Sequence, residues 1–227
     1  MFVAVPLHYD LINRLFTWGL DERWRRQVAL ECLKEQPKRL LDLCCGTGDL
    51  ALRLANLAVD DVSIVGIDFS LPMLRLAREK AESSGKSDQV TFVYGDTATM
   101  PFPDEYFDCI GISFAFRNLT YKNRLALRYL SEVLRVLKPG GRFAIVESSQ
   151  PSSLLVRELF HLYMRWFVPP LGHLLSGNRG AYRYLAESAS QFYTIDELRN
   201  LMLEAGFCRF SSQSLTFGTV AIFVATK

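Results

Sequence analysis

Long hydrophobic runs are missing: nowhere in the 227 residues is there an uninterrupted apolar stretch of ~18 residues, the length a membrane-crossing helix needs. A soluble chain is expected, touching a membrane from the side at most. Charge of one sign is also scarce, since 26 basic against 24 acidic side chains leave a net +2. A nucleic-acid binder would carry a basic stripe, so no such partner is expected. The five cysteines are odd in number and lack framework spacing, which predicts reduced thiols in a cytoplasmic protein. Without a C-x-x-C pair or a histidine cluster, no metal site is expected. The first residues show no charged segment followed by a long apolar one, so no secretory leader is expected. No internal repeat or low-complexity tract occurs. What is present, at 49% hydrophobic and 22% charged, is enough for one α/β domain with a sizeable core.

The organising stretch is Leu40-Leu41-Asp42-Leu43-Cys44-Cys45-Gly46-Thr47-Gly48-Asp49-Leu50. An apolar run ends in a glycine-rich turn and passes directly into a helical pattern, the opening of a nucleotide-binding α/β unit. Gly46 and Gly48 lack a Cβ, so backbone amides can approach a ligand at the helix N-terminus. The turn alone is weakly specific, because Gly46, Gly48 and Ala51 also satisfy the dinucleotide pattern G-x-G-x-x-A.

Residues 7–36 read as helical with a break at Gly19, Trp18 and Trp24 packed inward and Arg23, Arg25 and Arg26 on a solvated face. Strands are expected at 39–44, 62–67, 90–94, 107–113 and 142–146, with helices at 49–57, 70–84 and 121–137. This alternation implies right-handed crossovers and a parallel sheet covered on both faces. From 151 to 190 the rhythm breaks into an irregular, aromatic, proline-containing segment. Thr194 and Glu197 form a capping box on helix 194–205, and strands 207–215 and 219–226 make a terminal hairpin through Phe217-Gly218. A dinucleotide dehydrogenase would need a second βαβ half instead. Asp49 at the helix start would also repel a diphosphate.

Ligands of an open parallel sheet bind beyond the strand carboxyl ends, which here read Gly46-Thr47-Gly48, Asp68, Asp96, Ser113 and Glu147. Asp68 stands about 20 residues past the glycine turn, where a carboxylate accepts from both ribose hydroxyls. The plainer alternative makes it the cap of the next helix. Asp96 and the Thr97 amide are placed to receive an adenine edge, with Phe69 and Met73 as apolar walls. Acidic ends on two successive strands suit a cationic cofactor. S-adenosyl-L-methionine, with its sulfonium, diol and adenine, finds a group for each.

Several stretches carry a family resemblance: Tyr9-Asp10-x-x-Asn13, the glycine-turn segment, Pro101-Phe102-Pro103-Asp104, Ser113-Phe114-Ala115-Phe116-Arg117-Asn118, Leu137-Lys138-Pro139-Gly140-Gly141-Arg142 and Tyr182-Arg183-Tyr184-Leu185-Ala186-Glu187-Ser188. From about Tyr9 onward the chain resembles the UbiE/MenG family, the C-methyltransferases of ubiquinone and menaquinone biosynthesis. The resemblance implies a Rossmann-like class I methyltransferase fold: a seven-stranded, mostly parallel sheet with a C-terminal antiparallel hairpin and helices on both faces. It implies one domain, with 7–36 as a helical lid and 38–150 as the cofactor-binding core. Residues 151–190 would then cover the substrate, and 191–227 supply the last helix and the hairpin. Its cofactor, S-adenosyl-L-methionine, falls by position on Thr47, Asp68, Asp96, Thr97 and Ser113. Asp42, Gly46, Gly48, Phe69 and Met73 surround those contacts, and Tyr9 closes over them.

The implied reaction methylates a ring carbon of a polyprenylated hydroquinone, demethylmenaquinol or the benzoquinol intermediate of ubiquinone. Such a carbon is nucleophilic only when an adjacent hydroxyl gives up its proton. Arg117 is the first candidate to lower that hydroxyl's pKa, Asn118 to orient the ring, and Tyr184 or Glu187 to complete the proton path. The structural alternative pairs Arg117 with Glu187 as an ion pair. Implied partners are a polyprenyl quinol and a peripheral membrane surface at the inner face, met by the apolar stretch 154–175; a homodimer is compatible. Glu147-Ser148-Ser149 and Thr97 depart from the family's usual residues, so the identity of the quinol stays open. The competing functions are methylation of another small lipid or metabolite, and cofactor binding without turnover.

Overall fold

Leu40, Leu41 and Leu43 are all fully buried, so β1 (Arg39–Leu43) carries apolar side chains on both faces and lies at the centre of a sheet. The computed structural model describes residues 14–59, 62–176 and 179–227. The remaining strands are β2 (Ser63–Asp68), β3 (Val90–Tyr94), β4 (Phe107–Ser113), β5 (Leu137–Ser148), β6 (Arg209–Leu215) and β7 (Val220–Thr226). They form a seven-stranded sheet in the order β3-β2-β1-β4-β5-β7-β6. β1 to β5 are parallel, and β7 runs antiparallel to both β5 and β6. The order reverses beside β1, where Leu41 pairs with Val65 on one side and Ile110 on the other. That reversal leaves a crevice above the strand ends.

Helices α1 (Leu20–Cys32), α2 (Asp49–Leu57) and α3 (Leu71–Ser83) cover one face through Trp24, Val28, Leu50, Leu54 and Leu74. α4 (Phe116–Thr120), α5 (Ala126–Val136) and α9 (Ile195–Ala205) cover the other through Phe116, Leu130, Val133, Leu198 and Met202. Each such side chain contributes about 1.5–3 kcal/mol by leaving water. The capping box on α9 is present, with the Thr194 hydroxyl accepting from the Glu197 amide and the Glu197 carboxylate accepting from Thr194.

Several expectations are corrected. The expected helix 121–137 is broken, because Lys122 takes φ 48° and the Asn123 side chain accepts from the Leu125 amide, ending α4 and delaying α5 to Ala126. β5 begins at Leu137, not 142, since Leu137 pairs with Phe107 of β4 and the Lys227 backbone pairs with Gly140 and Gly141. The segment expected to be irregular is helical: α6 (Leu154–Trp166), α7 (Val168–Ser176) and α8 (Arg179–Ser190). Pro169 and Pro170 sit in the first turn of α7, where the missing amide hydrogens cost no helical bond. Met164, Val168, Tyr182 and Ala186 give these helices a small core of their own. α7 packs closely enough on α8 that a Cβ at Gly172 would run into the Tyr182 ring.

In α1, Trp24 packs inward as expected, but Trp18, in the turn before it, is 86% exposed. Arg25, expected on the solvated face, is buried. Tyr9 and the start of the expected N-terminal helix lie outside the described residues, as do Gly177 and Asn178.

Candidate active site

The glycine turn is fixed by carboxylates rather than by packing alone. Asp42, at the end of β1, accepts from the Ala51 amide at 2.9 Å and so holds the first turn of α2 against the strand. Its full burial pushes the carboxyl well above the usual range. Gly48 takes φ 80°, and a Cβ there would meet the Phe92 ring at 2.9 Å. Only glycine meets both conditions. Asp68, at the end of β2, accepts from the Gly46 amide at 2.9 Å and the Ser70 amide at 2.8 Å. One carboxylate therefore ties the glycine turn to the start of α3. Burial raises its pKa, against the lowering effect of these amides. Asp96 does the same on a smaller scale, accepting from the Ala98 amide at 2.9 Å, and the Thr97 hydroxyl lies 3.6 Å from the Cys44 sulfur. Burial drives the Cys44 thiol up to about 12, so it stays protonated at neutral pH.

Above these strand ends lies a cavity of about 760 Å³. Its walls include Asp42, Gly46, Thr47, Asp68, Phe69, Met73, Asp96, Thr97 and Ser113, the described residues expected to hold the cofactor, save Gly48, which is not part of the lining. Ser113 Oγ is buried and has no hydrogen-bond partner, a polar atom aimed where a ligand would satisfy it. Asp21, Asp49, Asp68 and Asp96 add acidity, so the lining suits a cation carrying hydroxyls and an aromatic ring. These groups fit S-adenosylmethionine.

The same cavity reaches Arg117, Asn118 and Tyr184. Arg117 opens α4 just beyond β4, and its partner is Glu147, not Glu187 as the structural alternative had it. Nη1 meets the Glu147 carboxylate at 2.5 Å and Nε donates to the Ser188 hydroxyl at 3.1 Å. Glu147 also accepts from the Arg117 amide at 3.2 Å and the Ser148 amide at 2.8 Å. Both ions are buried and well paired, so removing either strands the other. Asn118 Oδ1 is buried with no partner. Burial raises the Tyr184 phenol, which stays protonated at neutral pH. Glu187 lies on the surface, 3.5 Å from Lys122, and is not part of the cavity wall.

Sequence reasoning missed Glu147 as the partner of Arg117. Its place at the end of β5 was visible, but the pairing across 30 positions was not. Arg25 was missed too, although the Asp21 four residues earlier is a helical ion-pair signal. α6 and α8 supply an apolar part of the wall, through Val156, Leu159, Phe160, Met164 and Leu185. No helix among the described residues is long and apolar enough to cross a membrane.

Comparison with solved structures places the fold. A SAM-dependent methyltransferase from Aquifex aeolicus superposes with a TM-score of 0.67 at 21% identity, covering 96% of this chain and 97% of that one. Among curated sequences, a demethylmenaquinone methyltransferase of Thermus thermophilus is 43% identical over the full length of both chains. A ubiquinone/menaquinone biosynthesis C-methyltransferase of Geobacter sulfurreducens is 39% identical, over all of this chain and 87% of that protein. The model of the ubiE/COQ5 methyltransferase family matches residues 1–227. An acid-lined crevice over a methyltransferase sheet and a match along the whole length lead to one conclusion: the chain belongs to the ubiE/COQ5 methyltransferase family and is an S-adenosylmethionine-dependent C-methyltransferase.

Proposed function

We propose that the chain methylates a ring carbon of a polyprenylated hydroquinone, with demethylmenaquinol as the favoured substrate. The observation that carries this reading is a single cavity with two characters. Strand-end carboxylates line one part of it, and apolar side chains of α6 and α8 line another. Arg117 and Asn118 also belong to its wall. The name of the Thermus thermophilus relative favours a naphthoquinol over a benzoquinol ring.

Thr47, Asp68, Asp96, Thr97 and Ser113 would hold S-adenosylmethionine, which supplies an electrophilic methyl group on a sulfonium. The protein's own work is to make the ring carbon nucleophilic and to hold it in line. With Nε and Nη1 engaged, Arg117 keeps Nη2 as a donor for a ring oxygen. That charge favours the phenolate form and lowers the hydroxyl's pKa. Glu147 keeps the guanidinium aimed, since its carboxylate is itself held by two backbone amides. Asn118 Oδ1 accepts from a ring hydroxyl, and Tyr184, remaining protonated, donates to the ring or to water carrying the proton away. Glu187, on the surface, has no direct part in this scheme.

We place the protein at the cytoplasmic face of a membrane, with α6 and α7 resting on it. Leu154, Leu155, Leu159, Trp166, Phe167 and Leu174 are all exposed there, and Arg157 and Arg165 stand among them to meet anionic headgroups.

The test is transfer from methyl-labelled S-adenosylmethionine to demethylmenaquinol and to the demethylated benzoquinol, read by mass spectrometry of the product. Label on a ring carbon of the naphthoquinol is the expected result. Label on oxygen, or on neither quinol, overturns the proposal.

A further inference from the structure

Pro101-Phe102-Pro103-Asp104 is one of the stretches that carry the family resemblance, yet none of its residues lines the cavity. It continues the segment that does. Asp96 and Thr97 belong to the cavity wall, a single 3-10 turn spans Thr97–Thr99, and the chain then runs from Met100 to Tyr106 without helix or strand before β4. Backbone groups in such a stretch need partners from outside it. α5 provides them.

A guanidinium carries five N–H donors, and each of those on Arg135 has an acceptor. Nε donates to the Glu132 carboxylate at 2.8 Å, and Nη2 to the same carboxylate at 2.8 Å and to the Met100 carbonyl at 2.9 Å. Nη1 donates to the Phe102 carbonyl at 2.7 Å and to the Asp104 carboxylate at 2.8 Å. Glu132 in turn accepts from the Met100 amide at 2.9 Å. Two turns earlier on α5, Arg128 Nε donates to the Ala98 carbonyl at 3.2 Å. The carbonyls of Ala98, Met100 and Phe102 are therefore all fixed from one helix. Ala98 is the link to the site, because its amide donates to Asp96 Oδ1 at 2.9 Å.

The pairs of Arg135 with Asp104 and Glu132 are partly exposed, and ion pairs of that kind add little to stability. What a saturated, planar fork does fix is geometry, and a lysine, a single point of charge, cannot reproduce it. The geometry fixed here is that of the turn bearing Asp96 and Thr97. An adenine edge offers an amine to donate and a ring nitrogen to accept, which match the Asp96 carboxylate and the Thr97 amide. Hypoxanthine, with an oxo group and a ring N–H in those places, reverses both.

We propose that Arg135 is a positioning residue for the methyl donor: with Glu132 and Arg128, it sets the place of the Asp96-Thr97 turn and thereby the selectivity for adenine. The proposal rests on the reading that puts adenine at Asp96 and Thr97, and it is independent of the quinol.

The experiment is calorimetric titration, without quinol, of the wild type, Arg135→Gln and Arg135→Lys with S-adenosylhomocysteine and with its deaminated analogue, S-inosylhomocysteine. The wild type is expected to prefer the adenine form about 100-fold or more, since the analogue mismatches both edge contacts. Both variants are expected to bind S-adenosylhomocysteine about 10-fold more weakly and the analogue about as the wild type does, so the preference shrinks about 10-fold. Variants that weaken both ligands alike, or neither, overturn the proposal, because Arg135 then only secures the loop. Where Arg135→Gln does not fold, Arg135→Lys decides by the same ratio. A wild type without any preference overturns the reading of the adenine edge and the proposal with it, so the two failures are told apart by the protein in which they occur. Because no quinol is present, neither touches the assignment of the methyl acceptor.

Discussion

The two ends of the cavity are built by different means. At the glycine turn, Asp42 and Asp68 accept from backbone amides of neighbouring segments and Asp96 from the Ala98 amide two residues on, so the proposed binding groups are also structural ties. Under α6–α8 the wall is largely apolar, and on the outside Leu154, Leu155, Trp166 and Leu174 are exposed as well. The glycine turn is tied to its surroundings by buried carboxylates, whereas α6–α8 are held by a small core of their own.

The largest effect should come from breaking the carboxylate-tied end. Asp68→Ala removes an acceptor for two backbone amides and the proposed acceptor for the cofactor's diol, and is expected to weaken S-adenosylmethionine binding by about 100-fold or more in calorimetry. An affinity within a few-fold of wild type would remove Asp68 from the site. Next comes the buried pair between the two ends. Arg117→Ala leaves Glu147 uncompensated and should cost about 3–5 kcal/mol of stability in denaturant unfolding. The double variant Arg117→Met/Glu147→Leu should recover most of that stability and bind the cofactor normally, yet turn over about 100-fold more slowly or worse. Turnover at the wild-type rate in that variant would make the pair purely structural.

The cover should respond to its surroundings rather than to the cofactor. Leu154→Glu with Leu155→Glu lies on an exposed surface and should change stability by no more than about 0.5 kcal/mol. It should lower flotation with anionic liposomes about tenfold or more, since burying one leucine is worth about 1.5–3 kcal/mol, while leaving turnover of a short-tailed soluble quinol intact. Unchanged flotation would detach α6 from the membrane. The smallest effect is on pH. Burial raises the Asp68 pKa, so on acidification the group takes up a proton earlier than an ordinary carboxyl, and cofactor affinity should begin to fall above pH ~4. Linkage runs the other way for folding, because the ionised form is the one disfavoured by burial and its protonation relieves that cost. A calorimetric affinity flat down to pH ~4 would contradict the raised pKa.

The same contrast explains what could be read in the sequence. The placement of the strand-end acids at one cavity was legible because it is set locally: Asp68 follows the glycine turn at a fixed distance, and Gly46, Thr47 and Gly48 sit inside one turn. β3 and β4 were legible to the residue, their bounds set by apolar runs with clear stops. The cover was not, because Pro169-Pro170 signals a break wherever it occurs, and only packing shows that it opens a helix. Arg25 left its expected place for a related reason: periodicity gives a helix two faces, but not which residue a neighbouring acid draws inward. Glu147 lay in plain view at a strand end, and only the parallel pairing of β4 with β5 brings it to Arg117.

The most direct test is a crystal structure of the protein soaked with S-adenosylhomocysteine, the product left after transfer. The expected result is the ribose diol on Asp68 and the adenine beside Asp96 and Thr97, with the sulfur turned toward Arg117. Density elsewhere, or a bound cofactor touching neither aspartate, would contradict the assignment of this crevice as the site of methyl transfer.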